Sequence, residues 1–257
     1  MYPFIHIFGR TIGTYGLCMT VGIFLAAFLA IHLGKKRGVL MEDILIVGAT
    51  AMGCALVCGS LLYVFVTYPI SEIWAMIMAG DFEFLTSGIV FYGGLIGGVL
   101  GALLGSKLAG CKLSHLEGAV VPFIPLGHGI GRIGCIMAGC CHGMEYTGPL
   151  AIYYPNSVTG LSPEQGYFPV QGLEALLNVG VCLFLIWYER RKRRPMDLLF
   201  AYLGLYAVER FVLEYFRGDS IRGIYFGLST SQWISVGLLA VSAVHFLFLR
   251  RRVAKKV

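Results

Sequence analysis

The sequence predicts an all-α integral membrane protein: a single domain over residues 1–257, with seven transmembrane helices and a small outward-facing head between the fourth and fifth. Three observations carry this prediction. Hydrophobic residues make up 57% of the chain and charged residues only 13%, with a mean hydropathy of +0.77, which leaves too little polar surface for a water-soluble shell. Seven apolar runs each approach the roughly 20 residues needed to cross a hydrocarbon core. The Lys and Arg residues gather in alternate connectors, the pattern that fixes orientation in a membrane.

The runs fall near 13–33, 44–67, 88–106, 114–131, 170–188, 197–216 and 231–249. Met1 leads almost directly into an uncharged segment, without the basic region and small-residue cleavage site of a removable signal, so the first run is expected to stay in the membrane. Lys35, Lys36 and Arg37 follow the first run, and Lys107 and Lys112 the third. Arg190, Arg191, Lys192, Arg193 and Arg194 follow the fifth, and Arg250, Arg251, Arg252, Lys255 and Lys256 the seventh. All of these lie on one side, the cytoplasmic one by the positive-inside rule. That puts the N-terminus outside and the C-terminus in the cytoplasm, as a multi-pass protein of a bacterial cytoplasmic membrane. The formal charge of +6 is then a topology signal, and no nucleic-acid partner is expected.

The head is expected over 133–168, where Gly139, Gly143, Gly148, Pro149, Pro155, Gly160, Pro163 and Gly166 give a composition of turns. Long irregular connections of this kind are usually lids or binding loops. Ile152, Tyr153, Tyr154 and Tyr167 suit a head lying on the outer interface.

Arg10, Arg132, Arg210, Arg217 and Arg222 break the orientation pattern. Arg10 and Arg222 read as interface residues that snorkel. Arg132 and Arg210 lie within or at the ends of apolar runs and require an anion, and the obvious one at an outer leaflet is a lipid phosphate. Arg210 and Glu214 are four residues apart on one helix face, with Arg217 a turn further on, which gives a polar track or a self-satisfied ion pair.

Two glycine-rich segments accompany them. Phe91 to Gly98, with Gly93, Gly94, Gly97 and Gly98, either packs a helix through small residues or opens its backbone to a cavity. Pro125 to Cys135, continuing to Gly143, resembles a nucleotide loop only superficially, because no strand precedes it. Its arginine, flanked by glycines, is expected to bring backbone N–H groups and a guanidinium together on a phosphate. Among the cysteines, Cys18, Cys54, Cys58 and Cys182 sit in apolar runs and read as small hydrophobes. Cys135, Cys140 and Cys141 cluster in one turn with His142, and His128 nearby. Zinc or a redox pair is a rival reading there, although adjacent Cys140 and Cys141 fit no standard zinc spacing.

These residues together resemble the prolipoprotein diacylglyceryl transferases. The segments that carry the resemblance are Tyr15-Gly16-Leu17, Gly93 to Gly97, Pro122 to Gly134 with Gly139 and Gly143, Pro169-Val170-Gln171 with Glu174, and Arg210 to Arg217. The resemblance implies an enzyme that moves a diacylglyceryl group from phosphatidylglycerol to the lipobox cysteine thiol of a preprolipoprotein signal peptide. It implies Arg132, Arg210, Glu214 and Tyr15 as catalytic positions, with Tyr92 beside them. It makes Gly93, Gly94, Gly97, Cys135, Cys140, Gln171 and Arg217 substrate-binding. Four positions depart from the family's pattern: Tyr92 stands for a His, Cys135 for an Asn, Cys140 for a Glu and Ser60 for an Arg.

The implied chemistry is alkyl transfer, in which a substrate thiolate attacks a glycerol carbon and glycerol phosphate leaves. Arg132 and Arg210 stabilise the phosphate, and Tyr92 or Glu214 accepts the thiol proton. The scheme requires no cofactor and no metal. Besides the Cys/His metal or redox enzyme, the other rival is a lipid-binding or lipid-moving membrane protein without transfer activity.

Overall fold

The fold is that of a computed structural model, which describes residues 2–7, 9–86, 88–191, 194–218 and 224–254. Lys192, Arg193, Arg222, Lys255 and Lys256 lie outside the described residues, as do the side chains of Tyr92, Arg250, Arg251 and Arg252. Nine helices are described: α1 (Thr14–Lys35), α2 (Met41–Thr67), α3 (Ile70–Ala79), α4 (Phe91–Leu108), α5 (Leu113–Val120), α6 (Ile124–Ala138), α7 (Val170–Glu189), α8 (Asp197–Leu213) and α9 (Thr230–Ala254). Five stretches are long and apolar enough to cross a membrane: α1, α2, the continuous Leu113–Ala138, α7 and Thr230–Leu247 of α9. The two remaining apolar runs form α4 and α8, which are not among those five. Large hydrophobic side chains such as Phe24, Phe28, Phe65 and Leu183 stand exposed along these helices, as they do where the surrounding solvent is lipid.

Three small antiparallel hairpins accompany the helices of this mostly helical fold. They are β1 (Phe4–Ile7) with β2 (Arg10–Gly13), β3 (Ile152–Tyr153) with β4 (Gly166–Tyr167), and β5 (Ile224–Tyr225) with β6 (Leu228–Ser229). Each closes a connection where no helical backbone is available to satisfy peptide groups. Arg10 is exposed on β2. The connection between α2 and α4 is itself partly helical. Pro69 caps α3, whose C-terminal residue Gly80 adopts φ 72° and returns its N–H to Ile77 and Met76.

The chain divides into two compact units, Leu33–Leu116 and Met1–His32 with Glu117–Val257. In the first, α2 and α4 run antiparallel in close contact. Gly93, Gly97 and Gly101 meet the backbone carbonyls of Cys58, Cys54 and Thr50 in turn, and Gly105 meets the Thr50 hydroxyl. A methyl group at any of the four would collide with α2. Glycines spaced by four residues are the means by which helices approach when no hydrophobic force acts between them. Gly93 and Gly97 are therefore occupied in packing, whereas Gly94 has only the Ala55 carbonyl at 3.7 Å.

In the second unit, α6 lies against α1 and α7. Gly127 meets Gly22, Gly134 meets Cys18 and Tyr15, and Gly129 meets the Ala175 carbonyl and Asn178. The glycines around Arg132 are thus interior residues of a helix. This corrects the expectation that their backbone N–H groups converge on a phosphate, because those groups serve the helical ladder. α6 also continues to Ala138, past residue 133 where the irregular segment is expected to begin. Gly139 then turns at φ 70°, with its N–H returned to Cys135 and Ile136.

The segment after Gly139 is fastened rather than loose. Ser157 Oγ and Thr159 Oγ1 donate to the Gly139 carbonyl at 2.7 and 2.8 Å. Met144 donates its N–H to Phe216 at 2.9 Å, and Gly218 donates to His142 at 3.1 Å. Phe168 stacks on Phe216 at 5.1 Å between ring centroids. The segment after Gly139 is thereby joined to the end of α8, near Arg210, Glu214 and Arg217.

Candidate active site

The interior of the second unit is polar where its exterior is apolar. Gln171, Glu174 and Asn178 recur at helical spacing on α7 and are all essentially inaccessible, so one face of an otherwise apolar helix is turned inward. Each has a partner there. Asn178 Nδ2 donates to Glu209 Oε1 on α8 at 2.9 Å and to the Glu174 carbonyl at 2.9 Å. Glu174 holds the α6 arginine, with Arg132 Nη2 to Glu174 Oε1 at 2.7 Å. His128, one turn earlier on α6, approaches the same carboxylate oxygen at 3.6 Å. Its ring rests against Tyr206 of α8, 5.5 Å between centroids.

A second guanidinium pair sits at the end of α8. Arg210 Nη2 contacts Glu214 Oε2 at 2.7 Å and donates to Ser231 Oγ of α9 at 3.2 Å. Ser229 Oγ donates to the other Glu214 oxygen at 2.7 Å. The helical ion pair between Arg210 and Glu214, one of the two readings the sequence allows, is therefore present. It is also embedded in a network that reaches α9. Arg217, on extended backbone just beyond, interacts electrostatically with both Arg132 and Arg210. Three arginines and the carboxylates of Glu174, Glu209 and Glu214 therefore share one neighbourhood. Both buried guanidiniums keep spare donors: Arg132 Nε and Arg210 Nη1 have no hydrogen-bond partner among the described residues. Such groups are costly in a dry interior unless something accepts from them.

The thiols form the neighbouring group. The sulfurs of Cys135, Cys140 and Cys141 all lie within 4.8 Å of one another. Local backbone brings them together. Cys135 is on the last turn of α6, Gly139 reverses the chain, and Cys141 itself takes φ 55°, a left-handed conformation unusual for a residue with a side chain. Gln171 fixes the loop from α7, donating from Nε2 to the Cys140 carbonyl and to the Tyr154 hydroxyl, both at 2.9 Å. Burial pushes the Tyr154 phenol up to about 12 against the Gln171 hydrogen bond. Hydrogen bonds from Cys135 and Cys140, reinforced by Arg217 and Arg132, hold the Cys141 thiol below its ordinary range, while Cys140 is pushed up by its two thiol neighbours. Tyr15 on α1 packs at Gly134 and lies within electrostatic reach of Cys135, Cys140 and Arg132.

Of the residues singled out in the sequence, Arg132, Arg210, Glu214, Arg217, Cys135, Cys140, Gln171 and Tyr15 thus belong to one unit and one neighbourhood. Gly93, Gly94 and Gly97 belong to the other compact unit, as does Tyr92 at the first turn of α4. The sequence reading passed over Glu174 as a charge partner, together with Asn178, Glu209 and Tyr154. A signal was present: Gln171, Glu174 and Asn178 stripe one face of an apolar run, and a buried Arg132 needs a carboxylate.

A model of the prolipoprotein diacylglyceryl transferase family matches residues 3–248. The chain is 33% identical over 238 residues to a phosphatidylglycerol–prolipoprotein diacylglyceryl transferase 2 of Clostridium perfringens, covering 91% of this chain and 90% of that protein. It is 31% identical over 243 residues to the Clostridium tetani phosphatidylglycerol–prolipoprotein diacylglyceryl transferase, covering 94% of each. To the Clostridioides difficile transferase it is 27% identical over 215 residues, covering 84% of this chain and 82% of that one.

Proposed function

The chain belongs to the prolipoprotein diacylglyceryl transferase family, and we propose that it transfers the diacylglyceryl group of phosphatidylglycerol to the lipobox cysteine thiol of a prolipoprotein, with Arg132 and Arg210 holding the donor phosphate. The observation that carries the site assignment is the pair of buried guanidiniums, each tied to a carboxylate by one nitrogen and each retaining a nitrogen with no acceptor among the described residues. A phosphodiester oxygen is the acceptor such planar, multi-pronged donors fit.

In this reading the acceptor thiol loses its proton, the sulfur attacks the glycerol carbon next to the phosphate, the carbon–oxygen bond breaks, and glycerol phosphate departs with the electron pair. Charge grows on the leaving phosphate as that bond breaks. Preorganised donors in a poorly hydrated interior act most strongly at that moment. Of the two side chains expected to take the thiol proton, Glu214 is the one whose contacts the structure describes. It is braced by Arg210 and Ser229. Gln171 and Tyr154 set the loop that carries Cys140, and Arg217 adds a third positive charge.

The orientation follows the charge placement: seven spans, an outside N-terminus, a cytoplasmic C-terminus, and a head that meets the exported signal peptide outside the cytoplasmic membrane. Single cysteines placed near residues 145–165 should react with an impermeant reagent from outside; labelling only from the cytoplasm would reverse the topology. The decisive test is purified protein with phosphatidylglycerol and a lipobox peptide. A diacylglyceryl mass shift on the peptide cysteine supports transfer. Lipid binding without that shift, and no rescue of a transferase-depleted strain, would leave a lipid-binding protein on the same scaffold.

A further inference from the structure

We propose that Cys135, Cys140 and Cys141 bind one thiophilic divalent cation, zinc foremost, and leave its fourth position open for the acceptor thiol. The proposal rests on the transferase reading above, since that reading supplies the thiol. Three sulfurs from two backbone segments converge within 4.8 Å of one another. Tetrahedral zinc with Zn–S bonds of about 2.3 Å needs sulfurs about 3.8 Å apart. Closing the described cluster to that geometry moves each sulfur by about half an ångström, less than an ordinary side-chain rotation. The spacing from Cys135 to Cys140 places four residues between two ligands, within the usual range for zinc. The adjacent Cys141 is turned into the cluster by its left-handed backbone at φ 55°, a strained conformation of the sort that persists where the surroundings impose it.

The surroundings favour a catalytic over a purely structural ion. Structural zinc sites are closed by four protein ligands, whereas catalytic ones have three and an open position. Among the described residues the cluster supplies three. His142, next in the chain, has Nδ1 at 2.9 Å from the Gly143 carbonyl. Three thiolates around a divalent cation carry one net negative charge, and Arg132 and Arg217 both act on Cys141. The cluster therefore adjoins the arginine proposed to hold the phosphate.

Such an ion answers a chemical need of this chain. Where the family's pattern has a His, this chain has Tyr92, a weak base at its ordinary pKa. A thiol bound to a metal ion is deprotonated outright. The acceptor Cys would bind as thiolate, releasing its proton to water. Its sulfur then forms the bond to the glycerol carbon while glycerol phosphate leaves, and the neutral thioether dissociates from the cation. No electrons are exchanged.

The test uses full-length protein purified under reducing, anaerobic conditions and titrated with cobalt(II). Expected is one cobalt per chain with intense near-ultraviolet thiolate-to-cobalt charge transfer. Addition of a lipobox peptide should shift the visible bands, and its Cys→Ser counterpart should not. Cys135→Ser and Cys141→Ser should lose stoichiometric binding, and Cys111→Ser should keep it. Size-exclusion profiles establish that each variant folds. Absent charge transfer in wild-type protein with all three thiols reduced would overturn the site, as would a disulfide among them that cannot be reduced without unfolding. Binding without any response to the peptide thiol would overturn the open position. Diacylglyceryl transfer that survives chelation to zero metal would remove the ion from catalysis and leave the transferase reading intact. Cobalt binding with the peptide response, but without transfer, would refute that reading and not this one.

Discussion

Replacing Arg132 or Arg210 by Lys preserves the positive charge and removes the planar fork. Each arginine contacts its carboxylate through Nη2 at 2.7 Å, and an ammonium can reach that oxygen. What it cannot do is hold the carboxylate while presenting a second, coplanar donor, the position now filled by Arg132 Nε and Arg210 Nη1. If those donors meet the leaving phosphate, each Lys variant loses one preorganised electrostatic contact in the transition state. The expected loss in kcat is on the order of 10²- to 10³-fold, about 2.7–4 kcal/mol. Because both arginines serve one phosphate, the double variant should lose less than the product of the single losses. The assay is transfer to a lipobox peptide in phosphatidylglycerol vesicles, normalised to folded protein, with Tm measured alongside. Tm should change little, since the ion pairs remain available. A lowered Tm with unchanged turnover per folded molecule for both variants would make the pairs purely structural and refute the phosphate clamp.

Glu174→Gln should destabilise the protein by about 3–5 kcal/mol, because it leaves the buried Arg132 without its anion; a Tm equal to wild type in detergent would show that another group neutralises it. Gly97→Leu should abolish monodisperse protein by forcing α4 from the Cys54 carbonyl, whereas Gly94→Ala, with only a 3.7 Å neighbour, should fold normally. Lost transfer in folded Gly94→Ala would then assign Gly94 to the substrate. The Tyr154 phenol, raised to about 12, favours its neutral form in the folded protein, so its contribution is complete below about pH 10 and disappears as pH rises towards 12. Tyr154→Phe should remove that alkaline decline in Tm and cost about 1 kcal/mol at neutral pH through the lost Gln171 hydrogen bond.

The membrane character, the helix positions and the arginines were legible because they depend on composition and on residues that violate a local rule. The seven apolar runs are all largely helical, the conformation in which an apolar segment satisfies its own backbone. The glycines near Arg132 were less legible. A run such as Gly127-His128-Gly129-Ile130-Gly131 is ambiguous between a loop and a packed helix, and only the nearness of Gly22, Cys18 and Ala175 decides it. Glu174 was hidden by distance along the chain: 42 positions separate it from Arg132, and nothing local to either residue names the other. The thiol cluster was partly visible as composition. Its convergence depends on two left-handed residues, Gly139 and Cys141, and only the glycine advertises such a turn.

The charge balance of the site links its tolerance of arginines to its chemistry. Arg132 and Arg210 are each paired with a carboxylate, Glu174 and Glu214, while Glu209 accepts from Asn178 and Arg217 adds a further positive charge, so the two deepest guanidiniums are tolerated among apolar helices. A phosphodiester brings one negative charge to that cluster, and it can do so without evicting a carboxylate because the donors left over are not those the carboxylates use. When the carbon–oxygen bond breaks, the leaving group becomes a phosphate monoester and its charge grows towards two. The same guanidiniums then bind the departing group more tightly than they bound the lipid. That difference, and not the strength of donor binding itself, is what lowers the barrier. A cluster that matched its arginines more fully with carboxylates would be more stable in the membrane and slower at transfer.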